Sequence, residues 1–138
     1  MSLTGTTGKE DYGFTVEVRA LNRNLLLNQR VARIDLLSNE LSKDFLLYFL
    51  LSRKFLDQLY PTAKGMKQAN LSTHAMKRLK IVVPSAGEQT EIGRVCRLVD
   101  RKLKVHQVKR NALAELLSTL LHQLMTSQLR VAELEILT

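Results

Sequence analysis

Ile92, Cys96, Val99, Leu103, His106, Arg110, Leu113, Leu117, Leu120 and Leu124 follow one another at alternating spacings of four and three residues. That average of 3.5 is the repeat that lets two α-helices wrap around each other with side-chain knobs in facing holes. The stripe covers 33 residues, about 50 Å of helix at a rise of about 1.5 Å per residue. A chain of 138 residues cannot bury such a helix in its own core, so the spacing predicts a partner helix. Val95, Leu98, Ala112, Leu116, Leu121 and Met125 widen the stripe beyond a two-helix seam, which suits it to cover other protein surface as well. His106 and Arg110 interrupt the seam at its middle. Polar residues there either fix register at a cost in stability or mark where the helix turns to solvent. Just upstream, Ser85-Ala86-Gly87-Glu88 has the form of a capping box, which places the helix start. After the helix, Leu129, Val131, Leu134 and Ile136 make a short apolar tail.

The first 84 residues read differently. Phe14-Thr15-Val16-Glu17-Val18-Arg19 alternates with period two, as a half-buried strand does. Asn22-Arg23-Asn24 supplies turn chemistry, and a second strand is expected over Gln29 to Ile34, with Leu25-Leu26-Leu27 leading into it or covering the sheet. From Ser42 the period changes: Phe45, Phe49, Ser52, Leu56 and Leu59 line one face of a helix that Ser42 caps and Pro61 ends. A polar loop, Ala63 to Asn70, follows. Ser72 is placed to cap a short helix through Leu79, and Ile81-Val82-Val83 reads as a buried strand closed by Pro84.

Several classes of function fall away. A lone cysteine, Cys96, supports neither an internal disulfide framework nor a thiolate metal cluster, and suits a reducing compartment. It sits on the seam without a nearby base, where a thiol packs as a small apolar group. His74, His106 and His122 fall on different predicted elements without metal-ligand spacing, so neither a metal site nor another cofactor is expected. Gly5-Thr6-Thr7-Gly8 lacks the lysine of a phosphate loop and reads as a flexible start. The longest apolar run, Phe45 to Leu51, is far short of the roughly 20 residues that cross a bilayer. The N-terminus has no signal-peptide pattern. No catalytic constellation emerges, so the chain is not expected to be an enzyme.

Charge points to a polyanion. Lys and Arg number 21 against 13 Asp and Glu, a formal +8. Residues 1–84 hold thirteen of the cations and seven of the acids, a net +6. Arg94, Arg97, Arg101 and Lys104 recur on the outer side of the long helix, where a solvated coiled-coil face explains them better than phosphate contact does. Lys64, Lys67, Gln68 and Asn70 mix lysines, which suit phosphates, with amides, which suit base edges and adenine above all. A plain surface loop accounts for the same residues. Arg19 and Arg23 complete the candidate DNA-binding set.

The order of these pieces is itself informative. Asn28-Gln29-Arg30-Val31-Ala32-Arg33-Ile34, Tyr48-Phe49-Leu50-Leu51-Ser52, Gly65-Met66-Lys67-Gln68-Ala69-Asn70-Leu71-Ser72, Lys80-Ile81-Val82-Val83-Pro84 and Glu88-Gln89 with Ile92 opening a Leu-rich helix resemble, from about Gly13 to Val131, the DNA-specificity subunits of type I restriction-modification systems. The resemblance implies an α+β fold in which residues 1–84 are part of a target-recognition domain and residues 85–138 are a spacer and dimerisation helix with a short tail. It implies a cytoplasmic, non-catalytic subunit that reads DNA so that methyltransferase (modification) subunits and a restriction subunit act there. The chain departs from the family pattern in holding one spacer helix and less than one whole recognition domain, where full subunits carry two of each. A homodimer through antiparallel pairing of residues 92–124 would supply the missing helix, and unpaired strand edges invite self-association. Two rivals stay open: a coiled-coil protein-interaction adaptor with no DNA role, and a small regulator that binds nucleic acid without sequence preference.

Overall fold

Three helices begin at a serine whose side chain accepts from a backbone N–H that the first turn leaves without a partner. In the computed structural model, which describes residues 1–18, 22, 24–63 and 67–130, Ser52 Oγ accepts from Phe55 N at 3.3 Å, Ser72 Oγ from Ala75 N at 3.0 Å and Ser85 Oγ from Glu88 N at 3.4 Å. They head α2 (Arg53–Leu59), α3 (Thr73–Lys77) and α4 (Ala86–Met125). Glu88 completes the expected capping box, its Oε2 accepting from Ser85 N at 2.9 Å. α1 (Lys43–Leu51) follows Ser42, whose side chain makes no capping bond.

The single helix expected between Ser42 and Pro61 is two helices. Ser52 N and Oγ both donate to Phe49 O, at 3.0 and 2.6 Å, and the residue leaves the helical region with ψ 148°. Its hydroxyl competes with the helical bonding pattern and ends α1. The break re-aims the apolar residues: Phe45, Leu46 and Leu50 of α1 and Phe55 and Leu59 of α2 are buried, while Phe49 and Leu56 are half-buried. Phe49 lies between Phe45 and Phe55, with ring centroids 6.0 and 5.8 Å away. A 3-10 turn, Tyr60–Thr62, follows.

The sheet forms where loops were expected. β1 (Thr4–Thr6) pairs antiparallel with β2 (Gln68–Asn70), with Thr4 opposite Asn70, Gly5 opposite Ala69 and Thr6 opposite Gln68. The segments at 14–18, 29–34 and 81–83 are not strands; Arg19 lies outside the described residues. Ser2 N donates to Phe14 O, and Ser2 bridges Val31, but neither contact extends into a ladder. A period-two pattern shows that one face wants cover, yet a strand also needs a neighbour's N–H and C=O groups. Here the N-terminal segment that reaches Phe14 and Val31 runs on into pairing with β2. Phe14, Val16, Val18 and Leu25 to Leu27 accordingly stay exposed, as do Val82 and Val83.

The core gathers Met1 and Leu3, Tyr12, Leu46 and Leu50, Phe55 and Leu59, and Ala69 and Leu71. Tyr12 meets Tyr60 edge-on at 5.1 Å and donates its hydroxyl to Tyr60 O at 3.2 Å. The first turns of α4 join this unit through Gln89, 2% exposed, whose Oε1 accepts from Ser42 N at 2.7 Å and whose Nε2 donates to Glu40 O and Pro84 O at 3.0 Å. One helical turn on, a Cβ at Gly93 would stand 2.8 Å from Asp44 Cβ, so only glycine allows this approach of α4 to α1. Residues 1–96 form one compact unit and residues 97–138 a second.

α4 runs for 40 residues, about 60 Å, and contains the whole predicted seam. Its end is a Schellman arrangement: Gln128 N donates to Gln123 O at 2.9 Å and Ser127 N to Leu124 O at 3.2 Å, with Ser127 at φ 57°. Leu129 follows this turn, and Val131, Leu134 and Ile136 lie outside the described residues.

Candidate nucleic-acid interface

Side chains alternate across a strand, so the burial of Ala69 to 3% turns Gln68 and Asn70 outward together. The antiparallel register sets Thr6 beside Gln68 and Thr4 beside Asn70 on that same face. The result is a polar ribbon with amides on one strand and hydroxyls on the other. Thr7 N donates to Lys67 O at 3.3 Å and Leu71 N to Leu3 O at 2.8 Å, extending the pairing at both ends and placing Lys67 beside the amides. Asn70 Nδ2 donates to Gln68 O at 3.2 Å, which lays the amide along its own strand.

The opposite face explains why the ribbon is small-residue at its centre. A Cβ on Gly5 would stand 2.3 Å from Asp11 Oδ1 and 2.6 Å from Tyr12 Cδ1. Asp11 holds β1 in return: its Oδ1 accepts from Thr6 N and its Oδ2 from Thr6 Oγ1, both at 2.7 Å. The backbone and side-chain bonds from Thr6 keep the Asp11 carboxyl below the usual carboxylate range.

A two-stranded ribbon is narrow enough for the major groove of DNA. Gln68 and Asn70, two residues apart, stand about 7 Å from one another at about 3.4 Å per residue, close to two base steps at about 3.4 Å per nucleotide of one strand. Amides at that spacing have both donors and acceptors for base edges. The structure therefore brings Lys67, Gln68 and Asn70 together, with the two amides on a strand rather than the expected loop and Lys67 just before it. Lys64, Arg19 and Arg23 lie outside the described residues. Thr4 and Thr6 were missed; the alternation from Leu3 through Thr6 was their only signal, masked by the loop character of Gly5 and Gly8.

The stripe on α4 forms a second surface. Ile92 is 41%, Val99 53%, Leu103 62%, Leu113 55% and Leu117 59% exposed, while Cys96, Leu120 and Leu124 are half-buried and His106 and Arg110 exposed. On the outer side, Arg94 reaches back one turn to Glu91, with Nη2 2.6 Å from Oε1 and Nε 2.9 Å from Oε2. That pair lowers the Glu91 carboxyl and raises the Arg94 guanidinium, so a contact within the helix already engages this cation.

Comparison with known proteins places the chain in a family. The family described as type I restriction modification DNA specificity domain matches residues 5–116. Among curated proteins, the chain is similar to the type I restriction enzyme MjaVIII specificity subunit of Methanocaldococcus jannaschii, 24% identical over 117 residues. The alignment covers 85% of this chain and 28% of that protein, so the chain spans less than a third of the relative's length. No solved structure matches it.

Proposed function

The chain belongs to the family of type I restriction-modification DNA specificity domains, and from that membership we propose that it recognises DNA sequence without catalysing a reaction on it. The observation that carries the reading is the family match over residues 5–116, which spans the polar ribbon apart from Thr4 and most of α4. In this reading residues 1–84 are the DNA-reading part. Lys67 contacts phosphate, Gln68 and Asn70 contact base edges, and Lys64, Arg19 and Arg23 add phosphate contacts. Residues 85–138 are the spacer, and the exposed stripe of α4 pairs antiparallel with the same helix of a second copy. The pair places methyltransferase and restriction subunits on the DNA, in the cytoplasm.

The test is binding of the full chain to a pool of duplexes across a salt series, with selection for preferred sequences. Salt-dependent binding with a sequence preference that Gln68→Ala and Asn70→Ala relax supports the reading. A preference unchanged in both variants removes the ribbon from the interface. The same exposed stripe would serve a protein-interaction adaptor, and absence of salt-dependent DNA binding favours that alternative.

A further inference from the structure

From Gln58 to Gly87 the chain has no aspartate or glutamate, yet it carries Lys64, Lys67, Lys77, Arg78 and Lys80. Among the described residues, Lys67, Lys77, Arg78 and Lys80 take part in no ion pair, whereas Arg33, Lys43, Arg53 and Arg94 each hold a carboxylate. The stretch builds the 3-10 turn at Tyr60–Thr62, β2 and α3, and between them lies an open cleft of about 700 Å³. Its polar lining is Thr62, Asn70, Ser72, His74 and Arg78, with no carboxylate.

We propose that this cleft holds the sugar-phosphate backbone of DNA, with Arg78 and His74 as its phosphate contacts. The proposal rests on the DNA-recognition reading above and extends it to residues outside the ribbon. Arg78 offers a planar fork of N–H donors that matches phosphate oxygens, and no local acid competes for it. Its backbone is fixed as well. Arg78 N donates to Ala75 O at 3.1 Å at one end of α3, and Ser72 Oγ caps Ala75 N at the other. Asn70 belongs to both the cleft and the outward face of the ribbon, so a backbone seated beside Arg78 leaves the adjoining base edges within reach of β2. The cleft thus sets the register in which the amides read.

Fluorescence anisotropy of the full chain with a short labelled duplex, repeated over a salt series, tests this. Arg78→Gln is expected to weaken binding to all sequences alike and to reduce the slope of log affinity against log salt by about one, the loss of one phosphate contact. Arg78→Lys keeps the slope, and His74→Ala weakens binding roughly fivefold, the loss of one hydrogen bond. Circular dichroism confirms that each variant retains the wild-type helix content; were Arg78→Gln to lose it, the exposed His74→Ala decides alone. If the wild-type chain binds with a steep salt slope and Arg78→Gln and His74→Ala both match it in affinity and slope, the cleft assignment is overturned while the recognition reading stands. If the wild-type chain binds no duplex at low salt, both fall together.

Discussion

Gln89 joins three stretches of backbone with one amide, accepting from Ser42 N and donating to Glu40 O and Pro84 O. A carboxylate at this site has the same shape but only accepts, so Gln89→Glu buries a negative oxygen against the part-buried carbonyls of Glu40 and Pro84 and leaves all three acceptors without a donor. Urea denaturation should show a loss of about 2 kcal/mol or more, since unsatisfied buried polar groups cost about 1–3 kcal/mol each. Gly93→Ala presses on Asp44 one turn later, and overpacking of this kind costs about 1–3 kcal/mol. A change below 0.5 kcal/mol in either variant, the range of an ordinary surface substitution at about that size, would mean that α4 is not held at this junction. In the sequence, Glu88-Gln89 stands out as part of a familiar order of residues, but not for this role. Two of the three partners of Gln89 lie 47 and 49 residues away in the chain, and no local pattern contains them.

Elements divided in the same way. Two helix starts were legible because their caps are complete within four residues, and Ser85 to Glu88 and Ser72 behave as expected, whereas the start of α2 at Ser52 fell inside the single helix expected there. Strands were not, because pairing is non-local: Thr4 to Thr6 have little strand character alone and become β1 only opposite Gln68 to Asn70. The candidate site inherited that blindness, since the amides were named as candidates but the strand that displays them was read as a loop. The capping box also has a consequence in acid. The hydroxyl and backbone N–H of Ser85 hold the Glu88 carboxyl below its ordinary value, so its ionised form is favoured in the folded chain. That stabilisation is fully present above the unfolded carboxylate value and is lost as pH falls through the lowered one. Helix content followed by circular dichroism should therefore fall on acidification, with a shallower decline in Glu88→Gln, whose amide does not titrate. Superimposable acid limbs would show that the box does not contribute. At the other end of α4, Ser127 occupies the left-handed region that glycine adopts freely. Ser127→Gly should leave stability unchanged or raise it by about 0.5 kcal/mol, relief of backbone strain being offset by a more flexible unfolded chain. A loss above about 1 kcal/mol, the usual glycine penalty in a helix interior, would contradict the Schellman end.

At the scale of the whole molecule, the decisive quantity is what the seam of α4 does in solution. Large apolar side chains at Ile92, Val99, Leu103, Leu113 and Leu117 are 41–62% exposed, more than a stable monomer usually leaves along one continuous line. Pairing with a second copy removes that area from water, and each well-buried leucine contributes about 1.5–3 kcal/mol. Because folded dimer and concentration are linked by mass action, the thermal midpoint should rise with protein concentration. Sedimentation equilibrium should report a dimer at high micromolar concentration. Leu113→Asp and Leu117→Asp place a charge in the pairing line at exposed positions of the second unit, so they should give a monomer whose midpoint no longer depends on concentration. His106→Leu and Arg110→Leu distinguish the two meanings of the seam's polar middle. If these residues fix register, the apolar variants pair more tightly but in mixed alignments, visible as additional association states. If the helix simply turns to solvent there, association stays as it was. A wild-type chain that remains monomeric throughout this range would overturn pairing through α4 and leave its stripe to a partner of another kind.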